Sequence, residues 1–193
     1  MQLMSKSIIP TPYGNFTIYA YGEHVNDPMP HIALIHEKTS SLDNVLVRIH
    51  SECMTGDVFS SIRCECGAQL RQSFEMVSQE GGIIIYLRQE GRGIGLIEKL
   101  KAYELQDRGL NTVEANLQLG HASDERNFDM AVAILRDLKI TSIRLLTNNP
   151  NKIKAIEESE IILNERVPLI ITPTGDNKTY METKKKLLGH MLD

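Results

Sequence analysis

The sequence contains no tryptophan, only 5% aromatic residues and three cysteines, and its apolar runs are short. No run approaches the roughly 18 consecutive apolar residues that a membrane-spanning helix requires, so we expect no membrane partner. Basic residues are not in excess: 21 Lys and Arg stand against 25 Asp and Glu, which gives a formal net charge of −4. Because nucleic-acid-binding domains are usually basic, we expect no nucleic-acid partner. Residues 1–13 lack the apolar stretch of a secretory signal, and we expect a cytoplasmic protein.

The hydrophobic content of the sequence is sufficient for a packed core. The chain has 193 residues, of which 41% are hydrophobic and 24% charged. A folded domain of about this length buries roughly 70% of the surface that its unfolded chain exposes, so it needs no disulfide framework. No repeat, low-complexity tract or linker divides the sequence, and we expect a single domain over residues 1–193.

Hydrophobic patterning changes along the chain. In the first part it predicts strands over 7–9, 16–21, 31–35 and 45–50, the first two joined as a hairpin by turn residues at 10–14. Later it predicts helices over 68–79, 96–108, 124–138, 150–158 and 180–192, with strands over 83–87, 143–146 and 161–163. This order predicts the α+β, or mixed α/β, class. Antiparallel amino-terminal strands are followed by alternating strand–helix units around one core.

All three cysteines lie within fourteen residues, in the pattern C-x10-C-x-C formed by Cys53, Cys64 and Cys66. Three converging thiolates suit a soft, tetrahedral Zn²⁺. The chain has no fourth cysteine, so the site is either open or closed by another side chain such as His50. In an open site, zinc would lower the pKa of a bound water towards about 7. The alternative is three buried, unreactive cysteines.

A glycine-rich turn, Arg88 to Gly95, follows the strand predicted over 83–87. Backbone N–H groups in such a turn, and the start of the next helix, bind anions, and arginines add bidentate phosphate contacts. Glu90 could hold a metal that a polyphosphate carries. The glycine spacing matches neither the P-loop nor the dinucleotide-binding pattern. The prediction of phosphate binding therefore depends on the glycines and arginines themselves and not on a known motif.

Two polar segments adjoin the helix predicted over 124–138. Residues 112–116 read as a polar link between helices, and Ser123 reads as the helix cap. Asp124 and Arg126 are two residues apart and would not face each other within a regular helix. Both can act on one substrate only if this segment is a loop or a frayed first turn.

Two further segments lie late in the chain. Asn149 and Pro150 are a typical cap and first residue of a helix. They do not account for Thr147 and Lys152, which could bind an anion at that helix start. Residues 180–186 indicate a solvated helix face rather than a site.

These segments together closely resemble the GTP cyclohydrolase II family. The matching stretches occur in the family's order and cover most of the chain from residue 45 onwards: 48–57, 63–70, 86–96, 102–103, 105–106, 112–116, 124–126, 145–150 and 189–190. The resemblance implies a homodimeric enzyme that opens riboflavin biosynthesis. It implies one Zn²⁺ per chain, and Mg²⁺ bound with the triphosphate of GTP.

The resemblance also implies the reaction. GTP loses pyrophosphate, water at the zinc attacks C8 of the guanine imidazole ring, the ring opens, and formate leaves. The product is 2,5-diamino-6-(5-phosphoribosylamino)pyrimidin-4(3H)-one.

The family's functional residues carry over position by position. Cys53, Cys64 and Cys66 would be the zinc ligands. Asp124 would be the general base, Arg126 the nucleophile at the α-phosphate, and Tyr103 an aid to ring opening. Contacts to GTP or its Mg²⁺ would come from Arg48, Ile49, His50, Ser51, Glu52, Gln69, Glu90, Gly91, Arg92, Thr112, Thr147 and Lys152. Since a guanidinium keeps its proton and is a weak nucleophile, the residues alone favour Arg126 as an electrostatic clamp.

Glu65, Glu98, His121 and Glu160 depart from residues usual in the family. They leave open a specialised paralogue with a partial reaction or another purine triphosphate. An alternative of a different class is a non-catalytic nucleotide-binding module whose structural zinc, when removed, would unfold it.

Overall fold

A computed structural model describes residues 1–172, 175, 183–185 and 189–192. Within them, seven strands form one mixed sheet: β1 (Gln2–Thr11), β2 (Gly14–Gly22), β3 (His31–His36), β4 (Val45–Ser51), β5 (Ile83–Leu87), β6 (Ser142–Leu146) and β7 (Ile162–Val167). The helices are α1 (Met54–Asp57), α2 (Cys66–Glu80), α3 (Gly95–Asp107), α4 (Thr112–Gln118), α5 (Asp129–Asp137) and α6 (Pro150–Glu157), with a 3-10 turn over Glu90–Gly93.

The sheet has the strand order β1-β2-β3-β5-β4-β6-β7. The pairs β1–β2, β2–β3 and β3–β5 are antiparallel, whereas β5–β4, β4–β6 and β6–β7 are parallel. This arrangement confirms the predicted fold class. β5 pairs with one side of β4, and β6, which follows β5 in the chain, pairs with the other side. The strand order therefore reverses at β4. Such a reversal opens a crevice at the carboxyl ends of the strands, where α/β proteins bind ligands.

Apolar residues on both faces of β4, β5 and β6 are buried because helices cover the sheet on each side. On one face Val47 and Ile85 pack with Phe128 and with the apolar side of α5 and α6. On the other face Leu46 and Ile84 pack with Val77 of α2. Near-continuous apolar strands are typical of parallel strands buried on both faces.

Most predicted elements are present with changes at their ends, the largest in β1, which was predicted over 7–9 and spans Gln2–Thr11. Three regions differ further. Residues 112–116 were expected to be a link and instead begin α4. The Asn111 side chain accepts hydrogen bonds from the backbone N–H groups of Val113 and Glu114, and Glu114 accepts one from the Asn111 N–H. This reciprocal capping satisfies the first N–H groups of a helix.

The helix predicted over 124–138 begins only at Asp129. Its expected first turn is a loop because Asp124 binds Arg126, and because the N–H of Glu125 donates to the carbonyl of Arg92, 3.0 Å away. The prediction of Ser123 as a helix cap is therefore wrong. The alternative that residues 124–126 form a loop is confirmed.

The helix predicted over 180–192 lies partly outside the described residues. Residues 183–185 are helical, whereas 189–192 are not. Lys184 is 8% exposed, so at this residue the prediction of a solvated helix face is wrong. None of the helices described is long and apolar enough to span a membrane.

Candidate active site

A cleft lies at the carboxyl ends of β4, β5 and β6. It brings together most of the predicted site residues: Arg48, His50, Ser51, Glu52, Cys53, Cys64, Cys66, Gln69, Glu90, Gly91, Arg92, Tyr103, Thr112, Arg126, Thr147 and Lys152. The side chain of Ile49 packs instead in the core, and its backbone carbonyl accepts a hydrogen bond from Lys152 Nζ at 2.7 Å. Asp124 does not itself line the cleft, but it contacts Arg126, which does.

The three cysteine sulfurs converge within the cleft. Cys53 follows β4, Cys64 lies in the loop before α2, and Cys66 is the first residue of α2. Their Sγ atoms lie within 4.8 Å of one another, and those of Cys53 and Cys64 are 3.6 Å apart. Hydrogen bonds from the other two thiols lower the pKa of Cys53, and the same contacts raise the pKa of Cys64 and Cys66. One sulfur therefore ionises before the others.

A close backbone approach makes this convergence possible. A Cβ on Gly67 would lie 2.2 Å from the carbonyl oxygen of Gly56, a distance that no side chain tolerates. A Cβ on Gly56 would be 3.3 Å from the sulfurs of both Cys53 and Cys64. Glycine at 67 thus lets α1 and α2 meet beneath the thiols.

The donor set fits a soft metal with three protein ligands. Among the described residues, no histidine or carboxylate joins the three sulfurs. His50 is not a fourth ligand, because its Nε2 lies 3.1 Å from the Asp57 carboxylate and its ring stacks on Tyr86. The alternative of a site closed by His50 is therefore wrong. The predicted convergence of the three cysteines is confirmed.

Asp57 organises the region behind the cysteines. Its carboxylate accepts from the phenol of Tyr86 at 2.9 Å and from the backbone N–H of Cys53 at 2.9 Å, besides contacting His50. Burial lowers the pKa of His50, so the imidazole is neutral near pH 7. These bonds fix the end of β4, where the first cysteine leaves the sheet.

The glycine-rich turn packs against the 123–126 loop. Gly91 and Arg92 both have a φ of 63°, a conformation that non-glycine residues rarely adopt. Arg92 Nη1 donates to the Ser123 carbonyl at 3.3 Å. The turn thereby places Arg92 beside the segment that carries Arg126.

The carboxylate of Glu90 ties three parts of the site together. Oε1 accepts from Lys99 Nζ at 2.7 Å and from the Gly91 N–H at 2.7 Å. Oε2 accepts from the Met54 N–H at 2.6 Å. A contact between Glu90 and a metal on a polyphosphate stays a prediction. The carboxylate here joins the turn, α3 and the residue after Cys53.

Asp124 and Arg126 form a bidentate ion pair. Arg126 Nε and Nη2 donate to the two carboxylate oxygens at 2.8 and 2.5 Å. Burial alone would raise the pKa of Asp124, but the hydrogen bonds and charge of Arg126 lower it. The carboxylate is therefore ionised, and the guanidinium is held at the cleft.

The cleft also holds several buried cations. Arg48 donates to the Leu146 carbonyl at 3.1 Å and to Gln69 Oε1 at 2.9 Å, and burial lowers its pKa to about 10. Burial, followed by the charges of Arg48, Arg126 and Lys184, holds the pKa of Lys152 well below its ordinary value. Concentrated positive charge in a cleft attracts polyanions.

Three charged or titratable residues of the cleft were missed by the sequence analysis: Lys99, Lys184 and His190. Lys99 precedes Tyr103 by four residues, so one helical turn separates them, and this spacing was an available signal. Lys184 forms a buried ion pair with Glu65, far away in the sequence. Burial and nearby cations lower the pKa of His190 to about 2.

The fold and site define a mixed α/β protein with one cleft that holds both buried cations and three thiols able to bind a metal. Residues 2–168 match the family model described as GTP cyclohydrolase II. The chain therefore belongs to the GTP cyclohydrolase II family, as the sequence analysis predicted.

Curated relatives of two lengths support this assignment. The protein named GTP cyclohydrolase-2 of Buchnera aphidicola subsp. Acyrthosiphon pisum is 49% identical, over 100% of this chain and 99% of the relative. The GTP cyclohydrolase-2 of Picrophilus torridus is 46% identical, over 99% of each chain. The riboflavin biosynthesis protein RibBA of Chlorobium phaeovibrioides is 49% identical over 100% of this chain but only 47% of that longer relative.

A solved structure shares the fold. The chain is similar to RibBX, a two-domain 3,4-dihydroxy-2-butanone 4-phosphate synthase from A. baumannii, with a TM-score of 0.50 and 19% identity. The match covers 86% of this chain and 40% of that one. At this identity the likeness concerns the fold alone.

Proposed function

We propose that this protein is a hydrolase that acts on GTP in riboflavin biosynthesis. It would release pyrophosphate, open the guanine imidazole ring and release formate, giving the diaminopyrimidinone that carries ribose 5-phosphate. The observation that carries this proposal is the pairing of three sulfurs within 4.8 Å with buried cations in one cleft. Family membership supports it, as do full-length relatives named GTP cyclohydrolase-2.

The cations account for binding of the triphosphate. Arg48, Arg92 and Lys152 line the cleft and supply the charge and N–H donors that phosphate oxygens require. The triphosphate would enter with its Mg²⁺. Thr147, at the end of β6, adds a hydroxyl at the start of α6, where helix N–H groups also favour an anion.

Arg126 would act on the α-phosphate. Its guanidinium keeps both hydrogen bonds to Asp124 and so holds a positive charge beside the cleft. This geometry supports an electrostatic clamp on the developing phosphoryl charge rather than attack by nitrogen. Asp124, being ionised, can accept a proton during pyrophosphate release.

The three cysteines would serve the ring-opening steps. Cys53, Cys64 and Cys66 would hold one Zn²⁺, which when bound supplies a Lewis acid that makes water nucleophilic near neutral pH. Tyr103 lines the cleft close to these sulfurs, and burial raises the pKa of its phenol. The phenol therefore keeps its proton and can donate a hydrogen bond during ring opening.

One incubation tests this function. Purified protein is given GTP and Mg²⁺, and pyrophosphate and formate are measured in parallel, with and without a zinc chelator. We expect equal amounts of both products, with formate lost on chelation. Pyrophosphate without formate would contradict the full reaction and indicate a partial one. If neither product formed, the substrate would be another purine triphosphate, or the protein would be a non-catalytic nucleotide-binding module.

The domain organisation, the compartment and the oligomeric state are proposed as well. We infer that residues 1–193 form one domain and that the protein acts in the cytoplasm as a homodimer, without a nucleic-acid partner. Light scattering coupled to gel filtration tests the dimer. A mass of one chain at micromolar concentration would contradict it.

A further inference from the structure

Lys99 is a buried cation that the proposed reaction does not use. It lies on α3 and is only 8% exposed. Its Nζ is 3.2 Å from the Sγ of Cys53 and 2.7 Å from Oε1 of Glu90. One ammonium group thus contacts both a predicted metal ligand and the acid of the glycine-rich turn.

The contact with Glu90 extends to the loop that carries the first cysteine. Glu90 also accepts from the Met54 N–H, which directly follows Cys53 in the chain. Lys99 therefore holds Cys53 in two ways, through the sulfur itself and through the backbone beside it. Buried charges of this kind are stable only when they are paired and hydrogen-bonded.

Charge explains what the sulfur contact would do. Three thiolates around a divalent metal carry a net charge of −1, and a buried net charge is costly. An ammonium group that donates to one sulfur offsets this charge and withdraws electron density from the sulfur. Neighbours of metal ligands set ligand orientation and the properties of the metal in this way.

An ordinary ion pair on the same helix gives the comparison. Lys101 contacts Glu98 at the same 2.7 Å as Lys99 contacts Glu90, but its side chain is 54% exposed. Exposed pairs of this kind stabilise a protein by about 0–1 kcal/mol. If Lys99 only paired with Glu90, its contact with Cys53 would be superfluous.

We propose that Lys99 is a positioning residue of the metal site, which directs the Cys53 thiolate towards the other two sulfurs and offsets their negative charge. The inference rests on the proposed zinc site. It goes beyond that site in assigning a role to a residue outside the ligand set.

The test measures metal binding rather than turnover. Dissociation constants for Zn²⁺ are obtained by competition with a chromophoric chelator for the wild type, Lys99→Met, Lys99→Arg and the control Lys101→Met. We expect Lys99→Met to weaken binding about 10- to 100-fold. Lys99→Arg should restore most of that loss because it keeps the charge, and Lys101→Met should bind as the wild type does.

A spectroscopic readout separates the sulfur contact from the ion pair. In the Co²⁺-loaded proteins, Lys99→Met should shift the thiolate-to-cobalt charge-transfer band. Glu90→Gln should shift it less, because Lys99 then still donates to the Cys53 sulfur. A Lys99→Met protein with the wild-type zinc constant and band would overturn the inference. A band shifted equally by Glu90→Gln would overturn it too, since Lys99 would then act only through Glu90.

The controls keep the two proposals distinct. A wild type that binds no Zn²⁺ would refute the metal site itself, whereas wild-type binding with an indifferent Lys99→Met would refute only the role of Lys99. Should the methionine variant not fold, Lys99→Gln replaces it, because glutamine keeps polar atoms in the buried position. The same constants and band then decide the question.

Discussion

Two buried lysines line the same cleft in opposite electrostatic surroundings. Burial alone would lower the pKa of Lys99, but the Cys53 thiolate and Glu90 raise it above the ordinary value. Lys152 is 4% exposed, and burial together with Arg48, Arg126 and Lys184 lowers its pKa strongly. We call Lys99, Glu90 and the three cysteines the metal end, and there Lys99 has anionic partners. We call Arg48, Arg126, Lys152 and Lys184 the cationic end, and there positive charge is in excess although Arg126 and Lys184 pair with Asp124 and Glu65.

This difference indicates which end needs a ligand. Lys99 has opposite charges on both sides, since its ammonium group contacts Glu90 and the Cys53 sulfur, and this group keeps its geometry without a substrate. Neighbouring cations repel one another, so the binding of a polyphosphate would lower the repulsion between Lys152 and the cations around it. Variants at the two ends should therefore fail in different steps.

The largest effect is expected at the metal end, from Cys64→Ser. Removing one of the three proposed ligands should abolish formate production, because the proposed ring opening needs the metal. Pyrophosphate release should stay within a few-fold of the wild type, since the proposed phosphate chemistry uses Arg126 and the other cations rather than the thiols. Both products are measured from one incubation, with zinc content determined on the same sample. Full formate production by this variant would refute the ligand assignment.

The complementary variant at the cationic end is Arg126→Ala. It should lower pyrophosphate and formate together, by at least about 100-fold, because it removes the positive charge that we propose stabilises the phosphoryl transition state. Bound zinc should equal that of the wild type. Arg136→Ala is the matched control, since Arg136 forms an exposed pair with Glu160 and should keep full activity. Unchanged pyrophosphate release by Arg126→Ala would remove Arg126 from the mechanism.

A smaller effect, on stability, is expected from Gly67→Ala. The added methyl group would overlap the carbonyl of Gly56 at 2.2 Å and force α1 and α2 apart. Overpacking of this kind costs about 1–3 kcal/mol of unfolding free energy. Urea denaturation measures the loss, with Glu75→Ala on the exposed side of α2 as the control. Equal stability of the Gly67 variant and the wild type would show that the two helices can separate freely.

The parts of this fold that sequence predicts are those with local signals. The hairpin of β1 and β2 follows from its turn residues, and α6 follows from Asn149, whose side chain accepts from the Asn151 N–H at 2.9 Å. The cysteine spacing likewise predicts the metal group, because Cys64 and Cys66 are neighbours and Cys53 precedes the same helix.

The parts that sequence missed depend on distant partners. The start of α5 is displaced by the contact of Glu125 with Arg92, in a turn more than thirty residues earlier. Lys99 meets Cys53 across 46 residues, and Lys184 meets Glu65 across 119. A lysine in a helical pattern has no local property that distinguishes an exposed position from a buried one, so its role emerges only from the fold.

The smallest predicted effect is proton uptake by Lys152 when an anion binds, which would distinguish it from Lys99. Because the pKa of Lys152 is depressed in the free protein, an entering anion should raise it, and binding should then take up protons from solution. The sign follows from linkage: a ligand whose binding takes up protons binds more tightly as the pH falls. The raised pKa of Lys99 keeps that group charged before and after binding, so it should contribute no uptake.

Calorimetry with inorganic triphosphate in buffers of different ionisation enthalpy measures this uptake. We expect the wild type to take up a fraction of a proton more than Lys152→Met, because the variant lacks the amine that titrates. Lys154→Met is the control on the same helix, since the Lys154 side chain is 70% exposed and its uptake should equal that of the wild type. Equal uptake by the wild type and Lys152→Met would mean that Lys152 is already charged in the free protein. The contrast between the metal end and the cationic end would then rest on geometry alone.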